Sequence, residues 1–491
     1  MAVLDATNRM LQFGGWTTSV TYTVTDSSVT NAAYDTSGNG GRKLIRLNSG
    51  TLVSVTKDAA NNLARLYKSN DNGATWVYFA GWGATSIGDV ALSTNGTYIY
   101  VAYCASNIST MVMRYSENGN QLNVYTVDST QSALGRVSLA INDAGTELHA
   151  TWDSRNSTYP NSFNIRYAKG TIAGDGTVVW GAVTQLTANN STGADNTNPC
   201  IIVKSNNNPV IMFQQNSSVT VAGNWIQTYA YNGTAWTGNV IYSGGGQTYT
   251  QANVSAIFVP QSVNGLANGR IWVAWQGTDS TDTGWNIRIS YSDDGGVTWS
   301  AMQKLTTGNI YDSAHPSLAV TKNGDVTVYF YGKSASSGAA YRIRSIKYSA
   351  GTWGAASDIT VNTTGLCRYP SALLDVNLDA NVPPFIYLDN QNGKVGFYGT
   401  WKATGNVPIT ENDVRFTVKD TSEAVMWTQR DAALTVDAAL NGQAMDKTTS
   451  GNEDQFVKAL GSSGKAEIRL KLKRASTSAD IGISRILGGV S

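Results

Sequence analysis

The chain has 491 residues, with 35 Lys and Arg against 34 Asp and Glu, and so a formal net charge of +1. That balance excludes recognition of a partner by bulk charge and disfavours both a nucleic-acid footprint and a polybasic membrane contact. The cysteines Cys104, Cys200 and Cys367 show no metal-ligand or redox spacing; buried free thiols are expected, with no metal or cofactor implied.

Residues 1–5 lack the basic and apolar regions of a signal peptide, and no apolar run approaches the ~20 residues of a membrane helix, so neither export by a signal nor membrane insertion is expected. Beyond them, short apolar runs at 44–47, 90–93, 137–141, 199–203, 254–258, 316–320 and 370–374 recur at a spacing of roughly 46 to 62 residues. Each is followed by a second alternating strand, clearest at 98–103 and 270–275, and a third, clearest at 164–167 and 341–344. A fourth begins at Trp76, Trp180, Trp236, Trp299 and Trp353, with a degenerate copy at 115–119 before Val124. Seven four-stranded units at this period predict an all-β, seven-bladed β-propeller over residues 1–401, with six blades as the alternative.

The last unit ends at Trp401 without a fourth strand of its own. Residues 14–21, Gly-Gly-Trp-Thr-Thr-Ser-Val-Thr, read like the segment around Trp353. Trp16 is therefore expected to open the outer strand of the seventh blade, so that an N-terminal strand closes the ring and removes its free edges. Residues 402–410 form a Gly- and Pro-containing linker. Glutamate then becomes frequent, and alternation at 414–418 and 466–473 predicts a small β-sandwich-like domain over 411–491 for attachment or oligomerisation.

Two turns are nearly identical: Ser69-Asn70-Asp71-Asn72-Gly73-Ala74-Thr75-Trp76 and Ser292-Asp293-Asp294-Gly295-Gly296-Val297-Thr298-Trp299. Ser and Asp cap turn amides, Gly supplies positive φ, and Trp starts the returning strand. The pattern, carried by Ser69, Asp71, Gly73 and Trp76 and by Ser292, Asp294, Gly296 and Trp299, resembles the Asp-box, or BNR repeat, of sialidase-like propellers, where it is structural. It marks the bottom of the ring. The sialidase likeness implies three carboxylate-binding arginines, an Asp acid/base, and a Tyr nucleophile activated by Glu. In this chain the Arg-Ile-Pro motif of the first inner strand is absent, leaving Arg42 or Lys43 as substitutes. Glu117 and Glu147 fall at bottom turns, so standard sialidase chemistry is not expected.

The opposite face carries the candidate site. The register of the inner strands places Lys43, Asp89, Arg136, Asn198, Asn253, His315 and Tyr369 around the upper channel mouth, with Arg368 adjacent. The aromatics Trp82, Tyr159, Trp225, Trp285 and Tyr311 lie in the top connections. Flat rings suit sugar faces, and Asn, Arg and Asp suit hydroxyls, so glycan binding is expected. A facing carboxylate pair for a glycosidase would be Asp89 and Asp153. His315, Tyr369 and Arg368 would serve a polysaccharide lyase. The Thr/Asn/Gly-rich composition, the lack of a signal and the C-terminal domain resemble bacteriophage tail fibres and receptor-binding proteins. That likeness implies a virion or extracellular adhesin for a host cell-surface polysaccharide, joined to other tail proteins through its C-terminal domain, with homo-oligomerisation as a further expectation.

Overall fold

The computed structural model describes residues 2–5, 20–83, 87–105, 109–133, 135–216, 224–244, 248–307, 312–333, 340–403, 411–430, 434–440, 443–451, 453–474 and 483–490. The chain divides into two compact units, one of residues 22–401 and one of 1–21 with 402–491.

The larger unit is a ring of seven antiparallel sheets. The innermost strands are Leu44–Arg46, Ile87–Thr94, Val137–Ile141, Asn196–Val203, Gln251–Val259, Ser313–Val320 and Cys367–Ala372. In the first six blades the chain meanders outward from its inner strand. The seventh orders Cys367–Ala372, Asp379–Asp389 and Lys394–Ala403, and its outer strand is Val20–Thr30. The ring is thus closed by an N-terminal strand, as expected. Trp16, assigned to that strand from the sequence, lies outside the described residues, and so do Tyr311 and most of the linker.

Alternation explains why the apolar mass is divided. Each sheet buries both faces, so side chains of neighbouring blades meet in one apolar layer per interface rather than in a central core. Val55, Leu66 and Trp82 of the first blade pack with Val90, Val101 and Met113 of the second. Ile386, Val395 and Phe397 of the seventh pack with Leu44, Leu52 and Tyr67 of the first. The aromatic residues Trp152, Phe213, Trp275 and Tyr387 are all at most 1% exposed. All three cysteines are buried thiols outside any disulfide.

The two Ser-x-Asp turns close as their residues dictate. Ser69 Oγ accepts from the Gly73 amide at 2.7 Å while Asp71 Oδ1 accepts from the Thr75 amide at 2.8 Å. Ser292 and Asp294 repeat both bonds at 2.8 and 2.9 Å. Gly73 and Gly296 sit at φ 89° and 99°, where a side chain would be strained.

The axis of the ring is stoppered by the chain itself. Between the closing strand and the first inner strand, residues 36–42 cross the channel. Thr36 Oγ1 donates to the Tyr369 carbonyl at 2.9 Å, and Asn39 Nδ2 donates to the carbonyls of Asn253 at 2.7 Å and Pro316 at 2.9 Å. Gly40 lies so close to the fourth blade that an added Cβ would stand 2.2 Å from the Pro199 carbonyl oxygen. Deeper in, the Arg42 guanidinium donates to Leu318 O at 2.7 Å, Ala256 O at 3.0 Å and Ala372 O at 3.4 Å, tying three blades together.

In the smaller unit, Glu411–Arg430 and Glu453–Arg474 pair over most of their length, with Val414 opposite Leu470 and Phe416 opposite Ile468. Leu434–Leu440, Gln443–Ala444, Asp446–Ser450, Ile483–Val490 and Ala2–Asp5 complete one seven-stranded sheet. The sequence predicts a sandwich; the described strands form a single sheet, because the two alternating runs pair with each other instead of facing across a core.

Replacing Arg42 by Ala strands carbonyls of three blades, a loss on the order of 3 kcal/mol, and Gly40→Ala forces the plug off Pro199. Both variants are expected to melt below the wild type in calorimetry, and Arg42→Lys is expected to recover only part of the loss, because an ammonium cannot span the three carbonyls.

Candidate functional site

The mouth of the ring is built by a defect that recurs in the inner strands. The ladder slips between Thr197 and Cys200, Ala252 and Ser255, Ala314 and Ser317, and Arg368 and Ser371. At each slip one residue adopts left-handed φ: Asn198 at 53°, Asn253 at 57°, His315 at 51° and Tyr369 at 54°. Such a bulge re-aims a side chain out of the sheet, and glycine usually occupies it. Asn tolerates the conformation; His and Tyr bear a cost of about 1 kcal/mol or more. Four successive blades therefore hold strained or near-strained polar side chains at one level of the axis.

A second set of residues fixes those bulges. In the second strands, Asp153, Gln214 and Gln276 occupy the position after Trp152, Phe213 and Trp275. Asp153 Oδ2 accepts the amide of Asn198 at 3.2 Å, Gln214 Oε1 that of Asn253 at 2.9 Å, and Gln276 Oε1 that of His315 at 2.9 Å. Each blade thus holds the bulge of the next. Asp153 Oδ1 also accepts the Arg136 amide. Two blades perform this task with an uncharged amide, so the carboxyl at 153 exceeds the structural need.

The electrostatics of the mouth follow from burial and crowding. Burial raises the Asp153 carboxyl to about 7, against hydrogen bonds from the Arg136 and Asn198 amides that favour the anion. Asp35 is lowered: burial opposes ionisation, but the charge of Lys57 at 3.1 Å and the bonds from Ser37 outweigh it. Burial works against the Arg136 cation, yet the charges of Asp89, Asp153 and Asp35 raise its pKa. Burial, with Arg136 and Arg368 nearby, brings His315 down to about 3 and keeps it neutral. Asn253 Nδ2 donates to Gln276 Oε1 at 2.8 Å and lies 3.3 Å from His315 Nε2. With Nε2 accepting, the imidazole proton sits on Nδ1, which has no partner.

The sequence-derived residues separate into groups. Arg136, Asn198, Asn253, His315, Arg368 and Tyr369 come together at the mouth, where His315 meets Tyr369 edge-on at 4.7 Å and stacks on Tyr331 at 5.4 Å. The Arg368 guanidinium covers Tyr341 at 5.1 Å and Tyr331 at 5.6 Å. Among the described residues no hydrogen-bond acceptor or carboxylate engages the guanidinium of either Arg136 or Arg368. Arg136, Asp153, Asn198, Phe163 and Thr197 line a cavity of about 370 Å³.

Lys43 is fully buried, donating to Val90 O at 2.7 Å and Gly38 O at 2.9 Å and pairing with Asp89 at 3.3 Å. Lys43 and Asp89 therefore belong to the seat of the plug rather than to the open mouth. Arg42 is committed to interblade carbonyls. Trp82 is 9% exposed and packs on Tyr103 at 5.3 Å, sealing the first two blades. Tyr159 and Trp285 are partly buried in loops of the third and fifth blades and Trp225 is partly buried at the start of the third strand of the fourth blade, with no described contact to the mouth cluster. Of the carboxylate pair expected from the sequence, Asp153 lines the mouth while Asp89 is buried on Lys43, so the two do not face each other across the site. Asp35, Tyr331 and Tyr341 carry no such signal in the sequence.

The fold and the mouth define a class: a seven-bladed β-propeller with a plugged axis and a polar, cation-rich cup. No established protein family matches the chain, and no curated protein is similar to it in sequence. Among solved structures, a mutant α-L-arabinofuranosidase of Fusarium graminearum bound to an iminosugar inhibitor is similar over 63% of this chain and 92% of its own, at 14% identity and a TM-score of 0.39. An exo-β-1,3-galactanase of Phanerochaete chrysosporium is similar over 82% and 95%, at 12% identity and a TM-score of 0.31. Hydrazine synthase of Kuenenia stuttgartiensis covers 74% and 97%, at 10% identity and a TM-score of 0.44. These likenesses carry no argument about chemistry.

His315→Asn places in the left-handed position the residue that Asn198 and Asn253 already use, and is expected to raise Tm. The His315 contribution is full above the ordinary pKa of 6.5 and is lost as pH falls towards about 3, because the unfolded chain takes up the proton first. Asp153 acts oppositely: its contribution is full below the ordinary 3.8 and is lost as pH rises through about 7. Melts of His315→Asn between pH 6.5 and 4 should show a shallower acid decline than the wild type, with His149, held at about 4 by burial, supplying a remainder.

Proposed function

We propose that the protein is a carbohydrate-active enzyme that seats an acidic sugar of a polysaccharide in the propeller mouth and cleaves the chain there. The observation that carries this reading is the pair of guanidinium groups, Arg136 and Arg368, at the mouth, neither of which makes a salt bridge or a side-chain hydrogen bond among the described residues. Arg forks match carboxylates in geometry and charge. Lys43 pairs with Asp89 in the seat of the plug and Lys57 pairs with Asp35, so the two arginines leave the mouth with excess positive charge, and Asp153 adds a negative charge only when it ionises. The cup thus favours an anion, with Asn198, Asn253 and Tyr369 available to its hydroxyls.

Hydrolysis fits these residues better than β-elimination. The imidazole of His315 carries its proton on the free nitrogen, and its basic nitrogen, Nε2, is turned to the Asn253 amide, so no basic nitrogen is free for an elimination. Asp153, protonated near neutrality, and Asp35, ionised, have carboxyl environments driven apart, which is the division of labour between a glycosidase acid and its carboxylate partner. In this scheme Asp153 gives its proton to the leaving glycosidic oxygen as the C–O bond breaks, while a water on the opposite face bonds to the anomeric carbon and passes its proton to Asp35.

A second reading has one observation in its favour. Both Asp153 oxygens already accept backbone amides, as an acceptor with a purely structural task would. The protein would then bind the polymer without cutting it, as an adhesin on a virion does, with the smaller unit serving attachment to other tail proteins or to a second copy.

The experiment compares wild type, Arg136→Ala, Arg368→Ala and Asp153→Asn on polygalacturonate, alginate and hyaluronan. Each arginine variant is expected to weaken binding of one of these polymers about tenfold, roughly 1.4 kcal/mol, and added salt to weaken the wild type. New reducing ends that vanish in Asp153→Asn support hydrolysis, and binding without reducing ends favours the adhesin. Binding unaffected by both arginine variants refutes the mouth as the site.

A further inference from the structure

On the side of the ring that carries the turns between third and fourth strands, two interblade grooves repeat one design. In the fourth blade the sequence Tyr231-Asn-Gly-Thr-Ala-Trp236 forms the lip of one, and in the sixth Tyr348-Ser-Ala-Gly-Thr-Trp353 forms the lip of the other. The wall opposite is the preceding blade. There, His149 pairs with Lys169 in the third blade, and Trp272 pairs with Tyr291 in the fifth. The matched register makes His149 the counterpart of Trp272, and Tyr167 that of Ile289.

The two grooves differ because of that exchange. In the second, Trp272 fills the space, meeting Tyr348 at 5.0 Å and Trp353 at 5.5 Å and leaving a cavity of about 420 Å³. In the first, the smaller imidazole leaves about 730 Å³, within the range of small-molecule sites. Trp236 stands there between Tyr167 at 4.9 Å and Tyr231 at 5.2 Å. His149, a lining residue of the groove, is fully buried; its Nδ1 is 2.8 Å from the Tyr167 hydroxyl, and its buried Nε2 has no hydrogen-bond partner. Glu147 Oε2 approaches that nitrogen only to 3.6 Å. An unpartnered buried ring nitrogen costs free energy that a hydroxyl bridging to Glu147 would recover.

We propose that the groove between the third and fourth blades is a second carbohydrate site, which takes an uncharged glycosyl unit with its ring against Trp236 and Tyr231 and a hydroxyl on His149 Nε2. The aromatic faces match the C–H face of a pyranose. The unit is uncharged because Glu147 is already paired with Lys169 at 2.9 Å, so the groove offers no net charge to an ionic sugar. Glu147 and Asn208 at the rim supply further polar partners for hydroxyls. This site stands apart from the mouth and does not rest on its reading.

The test is saturation-transfer NMR with maltose, cellobiose, lactose and N,N′-diacetylchitobiose on wild type, His149→Ala, His149→Trp/Tyr167→Ile and Arg136→Ala. The double variant copies the lining of the filled groove. At least one disaccharide is expected to receive transfer from wild type and Arg136→Ala, to bind about fivefold more weakly to His149→Ala, and to lose transfer in the double variant. No transfer with any of the four, unchanged transfer in the double variant, or loss in Arg136→Ala overturns the proposal. Should the double variant not fold, unchanged affinity in His149→Ala overturns it.

Discussion

A ring of wedges has no centre to pack, and this molecule resolves that problem with the polar segment 36–42. Seven interblade layers hold neighbours together, but none of them spans the axis. The Arg42 guanidinium does so, reaching carbonyls of the fifth, sixth and seventh blades from a backbone position at the first. Its five fixed donors suit acceptors converging from several directions, and its charge, which cannot be relinquished as an ammonium's can, strengthens each bond. A channel filled by apolar side chains would have left those inner carbonyls without donors.

The plug also gives the mouth a floor. An open channel would admit water from both ends and dilute the field of any charged group at its rim. With residues 36–42 as a floor, the side chains at the four bulges face a closed cup, and burial there moves Asp153 and His315 in opposite directions, towards neutrality in both cases. The same floor explains why Lys43 and Asp89 are withdrawn from solvent: the ion pair anchors the stopper where it enters the first blade. Structure and chemistry therefore share the same few residues, and the strain in His315 and Tyr369 is stored where the ring is held most firmly.

Much of the architecture is legible in the sequence because strand periodicity and the recurring Trp are local signals. The third strands around 63–69 and 286–292 and the two Ser-x-Asp turns emerge where alternation and turn chemistry put them. What is not legible depends on register across blades. Pro199, Pro316 and Pro370 read as strand starts, yet each inner strand begins three residues earlier and runs through a bulge that the proline follows. Gly38-Asn39-Gly40-Gly41 reads as an ordinary loop, since nothing local says that its neighbours are five other blades. Trp82 reads as a sugar platform and serves as a seal, because an aromatic at a blade edge suits either role until its neighbour is known. His149 carried no signal until it could be laid against Trp272.

Closure by Val20–Thr30 has a bearing on how the molecule is made. Its partner strand, Lys394–Ala403, leaves the ribosome more than three hundred residues later, so the earliest part of the ring must wait for the latest. Until then the nascent chain holds a growing arc with two open edges, and the stopper has nothing to seat against. Non-local pairing of this kind is slow and exposes strand edges to other chains. Six blades can mature in order of synthesis, but the ring becomes one body only in its final step, when the cup, the stopper and the last edge form together.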